Sequence, residues 1–348
     1  MSMNKKMLLN IELLKEISWI KEDENGRLIY LPPFYDLFEQ IRILLSQKVK
    51  QEEFQQVYYE EYVFDNKSEY SYFKNNMSCL EIRYKNTNLD LAKHKTLDIL
   101  ALFDRFLNEQ LALPSLSGKN LNNQESEFSN YVLINNQYYQ VSNVKYRDGN
   151  VIAHFNYDII NILLANHLDE FGFILPPKIS PVQVCFLMEQ NAFAKDIKIV
   201  HEYVKTLETQ GIRAILDYSS NPMKEKIDLR TKEGIPLLIE VYHKNIEKNR
   251  YTLINRLSHE KTKITIEDFS LLKNILHDFQ AKLYKKLMKI YIDSEANEIE
   301  CCMNEECLNQ IKEEGFEIVI PFMQGQEESK CLVCGQKSKK KLKKLKIF

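Results

Sequence analysis

Four cysteines near the C-terminus offer the plainest chemistry in the chain. Cys302 and Cys307 stand in CMNEEC, Cys331 and Cys334 in CLVC: a C-x4-C pair followed after a gap by C-x2-C. Zinc takes four soft, deprotonated ligands in a tetrahedron, and two short loops that each donate a pair of thiolates supply them without a large core. Four protein sulfurs leave no open position for water or substrate, so the ion is expected to be structural, and its loss is expected to unfold the segment around it. Gly335, directly after the second pair, suits the tight turn of such a knuckle. Cys301 competes with its neighbour Cys302 on spacing alone. Free or oxidised thiols are the alternative, and paired spacing in a chain that opens without an export signal argues against them. No catalytic set accompanies this cluster. The 7 histidines are scattered, none in an H-E-x-x-H arrangement, and His154 and His167, flanked by apolar residues, read as core or surface histidines. Glycine is scarce, at 9 residues, and forms no phosphate-cradling loop.

The elements that must position these cysteines follow from periodicity. A 348-residue chain with 44% hydrophobic and 28% charged residues has room for two or three domains. Residues 34 to 56 carry apolar side chains at helical spacing, and Val57 to Phe64 reads as a strand. Residues 65 to 88 look irregular, and Leu89 to Leu113 forms a helix stopped by Pro114. From Tyr131 the period shifts towards two, with turns at Asn135-Asn136 and Asp148-Gly149, which predicts an antiparallel sheet. NYDIINILLANHLDEFG then reads as a buried helix ending at Gly172. From LPPKISP onward, strands alternate with helices, which predicts a small α/β domain with a mostly parallel sheet. Cys79 and Cys185 are core candidates. The last sixty residues or so read as a separate cysteine-bearing module. The formal net charge of -2 hides a basic end, GQKSKKKLKKLKIF, and the apolar stretch near the N-terminus is too interrupted for a membrane span.

Specific words in the sequence resemble prolyl-tRNA synthetase. LPPKISPVQV at 175 to 184 is similar to the entrance of that family's anticodon-binding domain, which typically reads LPP, a basic residue, then IAPIQV. GIRAILDY and GIPLLIEV resemble the strands that follow, and IEKNRYTLINR falls where the family has a charged turn and a strand ending in arginines. The cysteine pattern resembles the C-terminal zinc domain of the archaeal and eukaryotic-like branch. Upstream, LIYLPP with its helix resembles the first class II motif, which forms the family's dimer interface, and LNEQLALPSLSGK resembles an LAIP…G-K stretch. The resemblance implies an α/β (α+β) fold in three parts: a degenerate class II synthetase-like domain with an antiparallel sheet at 1–172, an anticodon-binding-like α/β domain at 173–286, and a zinc-binding domain with a basic tail at 287–348.

The departures from that family point away from catalysis. Class II synthetases grip a bent ATP with two arginines, because a planar guanidinium engages phosphate oxygens bidentately. The resemblance places Ile159 at the third-motif arginine and Asn161 at its helix-packing glycine, while Glu81-Ile82-Arg83-Tyr84 is the one remnant of the second motif. Asn66-Lys67-Ser68-Glu69 echoes a proline-binding loop in two residues. No catalytic residues are therefore assigned, and ATP is not an expected ligand. Leu238 replaces an anticodon-reading arginine, whereas Lys178, Tyr242, Lys244, Lys340 and Lys341 are candidate RNA contacts by charge and stacking. The terminal lysines fit three readings: neutralising tRNA phosphates, an amphipathic membrane contact, or a solvated tail. Phe348 is placed to tuck inward.

The expectation is a cytoplasmic homodimer without a membrane span that binds tRNA, with that for proline the first candidate, or an RNA mimic. A regulatory subunit that binds a partner enzyme or senses an amino acid is the second reading. A working ligase with a rearranged ATP site is the third.

Overall fold

The computed structural model describes residues 11–52, 55–56, 70–75, 78–121, 126–293, 297–312, 316–322, 329–338 and 341–346. The strand expected at Val57 to Phe64, the Asn66 to Glu69 run, Lys340 and Phe348 lie outside them. The chain divides into two compact units, one of residues 1–41, 110–112 and 163–286, the other of residues 42–109, 113–162 and 287–348.

The second unit is built on a ten-stranded sheet. Its strands run, in order, Asn297–Glu300, Lys341–Lys346, Phe316–Pro321, Ser115–Asn120, Ser126–Ile134, Gln137–Arg147, Asn150–Asn156, Cys79–Lys85, Tyr70–Asn75 and Gln55–Gln56. All neighbours are antiparallel except the last two. The hairpin turns fall where the sequence put them. Asn135 and Asn136 have φ of 51° and 61°, and Asp148 and Gly149 have 49° and 78°, the left-handed pairs that match the twist of the flanking strands. The helix Leu89–Arg105, capped by Asn88 on the N–H groups of Asp90 and Leu91, covers one face. There Phe103 and Phe106 pack on Phe155, with ring centroids 5.2 and 5.7 Å away. Asp104 beneath it accepts hydrogen bonds from the hydroxyls of Ser115 (2.6 Å) and Ser117 (2.7 Å). Since side chains alternate along a strand, this one-sided cover leaves the opposite face to Glu81, Arg83, Asn143 and His154.

Three expectations are corrected here. Residues 65 to 88, read as irregular, contain the strands Tyr70–Asn75 and Cys79–Lys85. The cysteine segment is not a detached lobe. Val319 of its strand Phe316–Pro321 pairs with Asn120, and Gly118 is tight enough that a Cβ would lie 2.4 Å from the Ile320 carbonyl oxygen. Nor is Lys341–Lys346 a solvated tail: Leu342 and Leu345 are three apart in an extended strand, so they point to opposite faces of the sheet, and both are buried.

In the first unit a five-stranded sheet has the order Ala214–Asp217, Val184–Met188, Leu237–Val241, Tyr251–Asn255, Lys261–Ile264. The first three strands are parallel and the last two join antiparallel, so the sheet is mixed rather than mostly parallel. Every residue of Val184–Met188 and Leu237–Val241 is buried, as expected for central parallel strands covered on both faces. Helices Ala194–Thr209 and Met223–Lys232 provide the crossovers. The helix expected to run to Gly172 ends at Asn166. From there the chain forms a short pair, Leu168–Asp169 with Gly172–Phe173, that carries Asp169 to Arg256; Gly172 itself lies so close that a Cβ would sit 2.4 Å from the Lys232 Cα.

Candidate functional site

The four cysteines named from spacing come together. The sulfurs of Cys302, Cys307, Cys331 and Cys334 lie within 4.8 Å of one another, and those of Cys302 and Cys334 are 3.6 Å apart. Four sulfurs 2.3 Å from a central ion form a tetrahedron with edges of about 3.8 Å, so the donor set and its size fit a metal ion. Local structure explains the approach. Asn304 caps the helix Glu305–Ile311 through the Glu306 N–H and so presents Cys307 in its first turn. Gly335 takes a φ of 70°, and its N–H donates to the Cys331 carbonyl at 2.9 Å, closing the knuckle turn. Leu332 N–H to the Glu300 carbonyl, 2.9 Å, joins the two halves. Cys301 is not among the four gathered sulfurs; it is buried beside Ile311, Ile318 and Leu342, and its sulfur accepts the Met303 N–H. The backbone N–H groups of Cys334 and Cys302 hold the Cys331 thiol down to about 6, whereas burial and the neighbouring thiols push Cys307 above the usual thiol range. Four thiols this close cannot all ionise without a cation among them.

The uncovered face of the large sheet holds a second constellation, which the sequence did not disclose. His154 bonds Glu81 through Nε2 (3.1 Å) and Asn143 through Nδ1 (3.2 Å), while Arg83 donates to Glu81 at 2.7 Å. Burial raises the Glu81 carboxyl, but Arg83 and His154 outweigh it and hold the group below its usual value. Gln140 donates to Ser129 (2.7 Å) and to Glu127 (3.2 Å) on the same face. A cavity of about 470 Å³ opens beside them, lined by Ser78, Cys79, Gln140, Val141, Ser142, Asn143, His154, Asn156 and Asp158. These described lining residues include no lysine or arginine. Ile159, at the position the resemblance gives to an arginine, is 0% exposed. Alternation along Cys79–Lys85 was the signal that could have found this face, had that strand been recognised.

The RNA candidates are not gathered in one place. Lys178 is exposed in a turn before the first parallel strand, pinned by Arg213, whose guanidinium donates to the carbonyls of Pro177, Lys178 and Ser180. Tyr242 and Lys244 lie past the other end of the sheet, where the Lys244 ammonium sits 5.7 Å from the Tyr242 ring centroid. Lys341 is half-buried in the C-terminal strand. Leu238 is wholly buried. His167 is in the core as expected, its Nε2 bonded to the Leu111 carbonyl at 2.9 Å; Nδ1 has no partner among the described residues, and burial pulls the imidazole down to about 4. Sequence reading missed His243, whose Nδ1 bonds Asp196 at 2.7 Å.

Comparison with known proteins agrees with this architecture. The anticodon binding domain family matches residues 182–272. A proline–tRNA ligase of Mycoplasmopsis pulmonis is 24% identical over 293 residues, covering 70% of this chain and 61% of the relative. That of Mesoplasma florum is 26% identical over 199 residues, covering 51% of this chain and 42% of the relative. The chain thus spans between two fifths and three fifths of the length of these curated relatives. The crystal structure of prolyl-tRNA synthetase from Cryptosporidium parvum, complexed with L-proline and AMP, superposes with a TM-score of 0.82 at 18% identity, covering 97% of both chains. The protein has a class II synthetase-like fold with an anticodon-binding domain. Within that class it is prolyl-tRNA synthetase-like.

Proposed function

We propose that this chain is a catalytically silent prolyl-tRNA synthetase-like protein that binds tRNA or an RNA of similar shape. One observation carries the reading. On the uncovered sheet face Arg83 is engaged by Glu81, and Ile159, at the helix position the resemblance gives to the second arginine, is buried in the core. Loss of one group that stabilises transition-state charge costs about 3 to 4 kcal/mol. Proline-dependent exchange of pyrophosphate into ATP is expected at background level; exchange well above it would overturn the silence, leaving a ligase with a rearranged ATP site. Salt-sensitive binding to a tRNA pool tests the other half.

The same cavity supports a second reading, a regulatory role in which a small polar molecule of amino-acid size is sensed. Its volume of about 470 Å³ is ample for one, and its lining offers amide, hydroxyl and carboxylate groups rather than phosphate-gripping cations. Calorimetric titration with proline, with and without ATP, separates this from a vestigial hollow, and co-purification of a partner enzyme that survives high salt would favour the regulatory role. The ion at the four cysteines is taken to be structural zinc, since the donors are all thiolates. Functionally the chain reads as a degenerate catalytic part at 1–172, an RNA-end part at 173–286 and a metal part at 287–348. Exposed Ile29, Tyr30, Tyr35 and Ile43 around the helix Pro32–Gln51 suit homodimerisation, which sedimentation would test. Among the described residues no helix is long and apolar enough to cross a membrane, and a cytoplasmic location fits a tRNA-binding role.

A further inference from the structure

The four gathered sulfurs are not equivalent. Cys307 and Cys331 are buried, at 4% and 3% exposed, whereas Cys302 is half-buried and Cys334 is exposed. The inner pair, Cys307 and Cys331, packs in one apolar cluster with Ile311, Ile318, Leu342 and the wholly buried Cys301. The outer pair, Cys302 and Cys334, stands towards solvent with its sulfurs 3.6 Å apart. Thiolate character and access together decide which cysteine an oxidant attacks. A bound metal ion keeps all four sulfurs deprotonated, so access is what separates them, and it favours Cys334 first and Cys302 next.

The outer pair is also placed to be joined. A disulfide bond is about 2.05 Å long, so the two sulfurs need to close by only about 1.5 Å. They belong to different loops: Cys302 precedes the helix Glu305–Ile311, and Cys334 lies in the turn closed by the Gly335 N–H on the Cys331 carbonyl. A bond between them therefore ties the same two loops that the ion ties. What it does not hold is Cys307. That residue and Ile311 are the two buried anchors of the helix Glu305–Ile311, whose 7 residues are too few to persist in water without packing.

We infer that the outer pair is a site of reversible oxidation, at which a hydroperoxide converts Cys302 and Cys334 to a disulfide and the metal ion leaves. The Cys334 thiolate attacks the peroxide, the O–O bond breaks, and a sulfenic acid forms while the other oxygen departs as hydroxide or alkoxide. The Cys302 thiolate then attacks the sulfenic sulfur; the S–S bond forms and hydroxide leaves. The two sulfurs have given up two electrons and the peroxide has taken them. With two of its four donors consumed, the ion is released, and Cys307 and Cys331 take up protons. A thiol reductant reverses the change by exchange and lets the ion return. The inference rests on the metal reading of this cluster and is independent of RNA binding.

The test uses the full chain, its zinc content fixed by elemental analysis, treated with hydrogen peroxide beside a metallochromic zinc indicator. About one zinc per chain should be released, in step with a Cys302–Cys334 linked peptide in mass spectrometry without reduction. Dithiothreitol with added zinc should restore both. Cys301→Ala should load and release zinc as the unaltered chain does, with the same linkage. Hydrogen exchange separates the oxidised chain from one stripped by a chelator alone. Both should lose protection in Glu305–Ile311, but only the stripped chain should lose it in Asn297–Glu300, because the crosslink still holds the Cys331–Cys334 turn against the Glu300 carbonyl. Zinc kept through excess peroxide, release with scattered linkages, or sulfonic acid at Cys334 without a crosslink would overturn the inference. A chain that neither carries nor takes up zinc would remove the metal reading and this site with it, leaving the RNA-binding proposal untouched.

Discussion

Two residues separated by one position respond to acid in different windows. His167 is neutral in the folded chain because burial disfavours its charge, so its folded pKa, about 4, lies below the unfolded value near 6.5. Between those values the unfolded state binds the proton and the native state does not. Stability is therefore complete above pH 6.5 and falls as pH drops towards 4, by about 3 kcal/mol in all. His167→Gln can keep an N–H towards the Leu111 carbonyl without titrating, and urea midpoints measured from pH 7 to 4.5 should fall less in that variant than in wild type. Asp169 behaves oppositely. Burial raises its carboxyl, but the two-pronged pair with Arg256, at 2.6 and 2.9 Å, outweighs that and depresses it, so its contribution is present above the ordinary carboxylate pKa and is lost only in stronger acid. Asp169→Asn at neutral pH leaves the Arg256 guanidinium, 1% exposed, without its counter-charge. A cost of about 3 to 5 kcal/mol is expected in chemical denaturation.

At the scale of elements, the metal loops are tied to strands that belong to a larger sheet. The Cys331–Cys334 turn bonds Glu300, whose strand pairs with Lys341–Lys346; that strand pairs with Phe316–Pro321, and Phe316–Pro321 pairs with Ser115–Asn120. Metal loss should therefore be felt beyond the knuckle. Cys331→Ser is expected to bind less than one zinc per chain by elemental analysis. In hydrogen exchange it should deprotect Asn297–Glu300 and Lys341–Lys346 fully and Ser115–Asn120 partly, with the helix Ala194–Thr209 unchanged; protection lost only at the cysteines would refute the coupling. Why the sequence hid this connection is physical. The hairpins at Asn135-Asn136 and Asp148-Gly149 were legible because left-handed turn residues announce them locally, and the cysteine ligands were legible because pairs of thiolates must be close in sequence to share a knuckle. The pairing of Val319 with Asn120 joins strands about two hundred residues apart, and nothing in either segment names its partner. The lysines of Lys341–Lys346 masked a strand whose two buried leucines face opposite sides, a spacing of three that fits a helix face and not the period of two that marks a strand.

For the whole molecule, the question is whether a catalyst's fold can outlast its chemistry. LPPKISPVQV and the cysteine pairs made the architecture legible, because close backbone packing and metal geometry tolerate few sequences. The polar array of Glu81, Asn143 and His154 was not legible, since it exists only once strands from three parts of the chain are side by side. On the silent-enzyme reading proposed above, that array occupies the former substrate face, where its members bond one another. If the face has been repacked rather than merely stripped of one group, restoring a single arginine cannot revive it. Ile159 lies wholly inside the core, and Ile159→Arg would place an unpaired guanidinium there at a cost of several kcal/mol. The variant is expected to lose stability in urea and to show no pyrophosphate exchange. By contrast, Glu81→Gln, which removes the carboxylate engaging Arg83, should leave the fold intact because the pair is partly exposed. If that mild change alone produced ATP-dependent exchange, the silence would rest on one ion pair. If neither variant does, the proposed silence is distributed over the face rather than held by one residue.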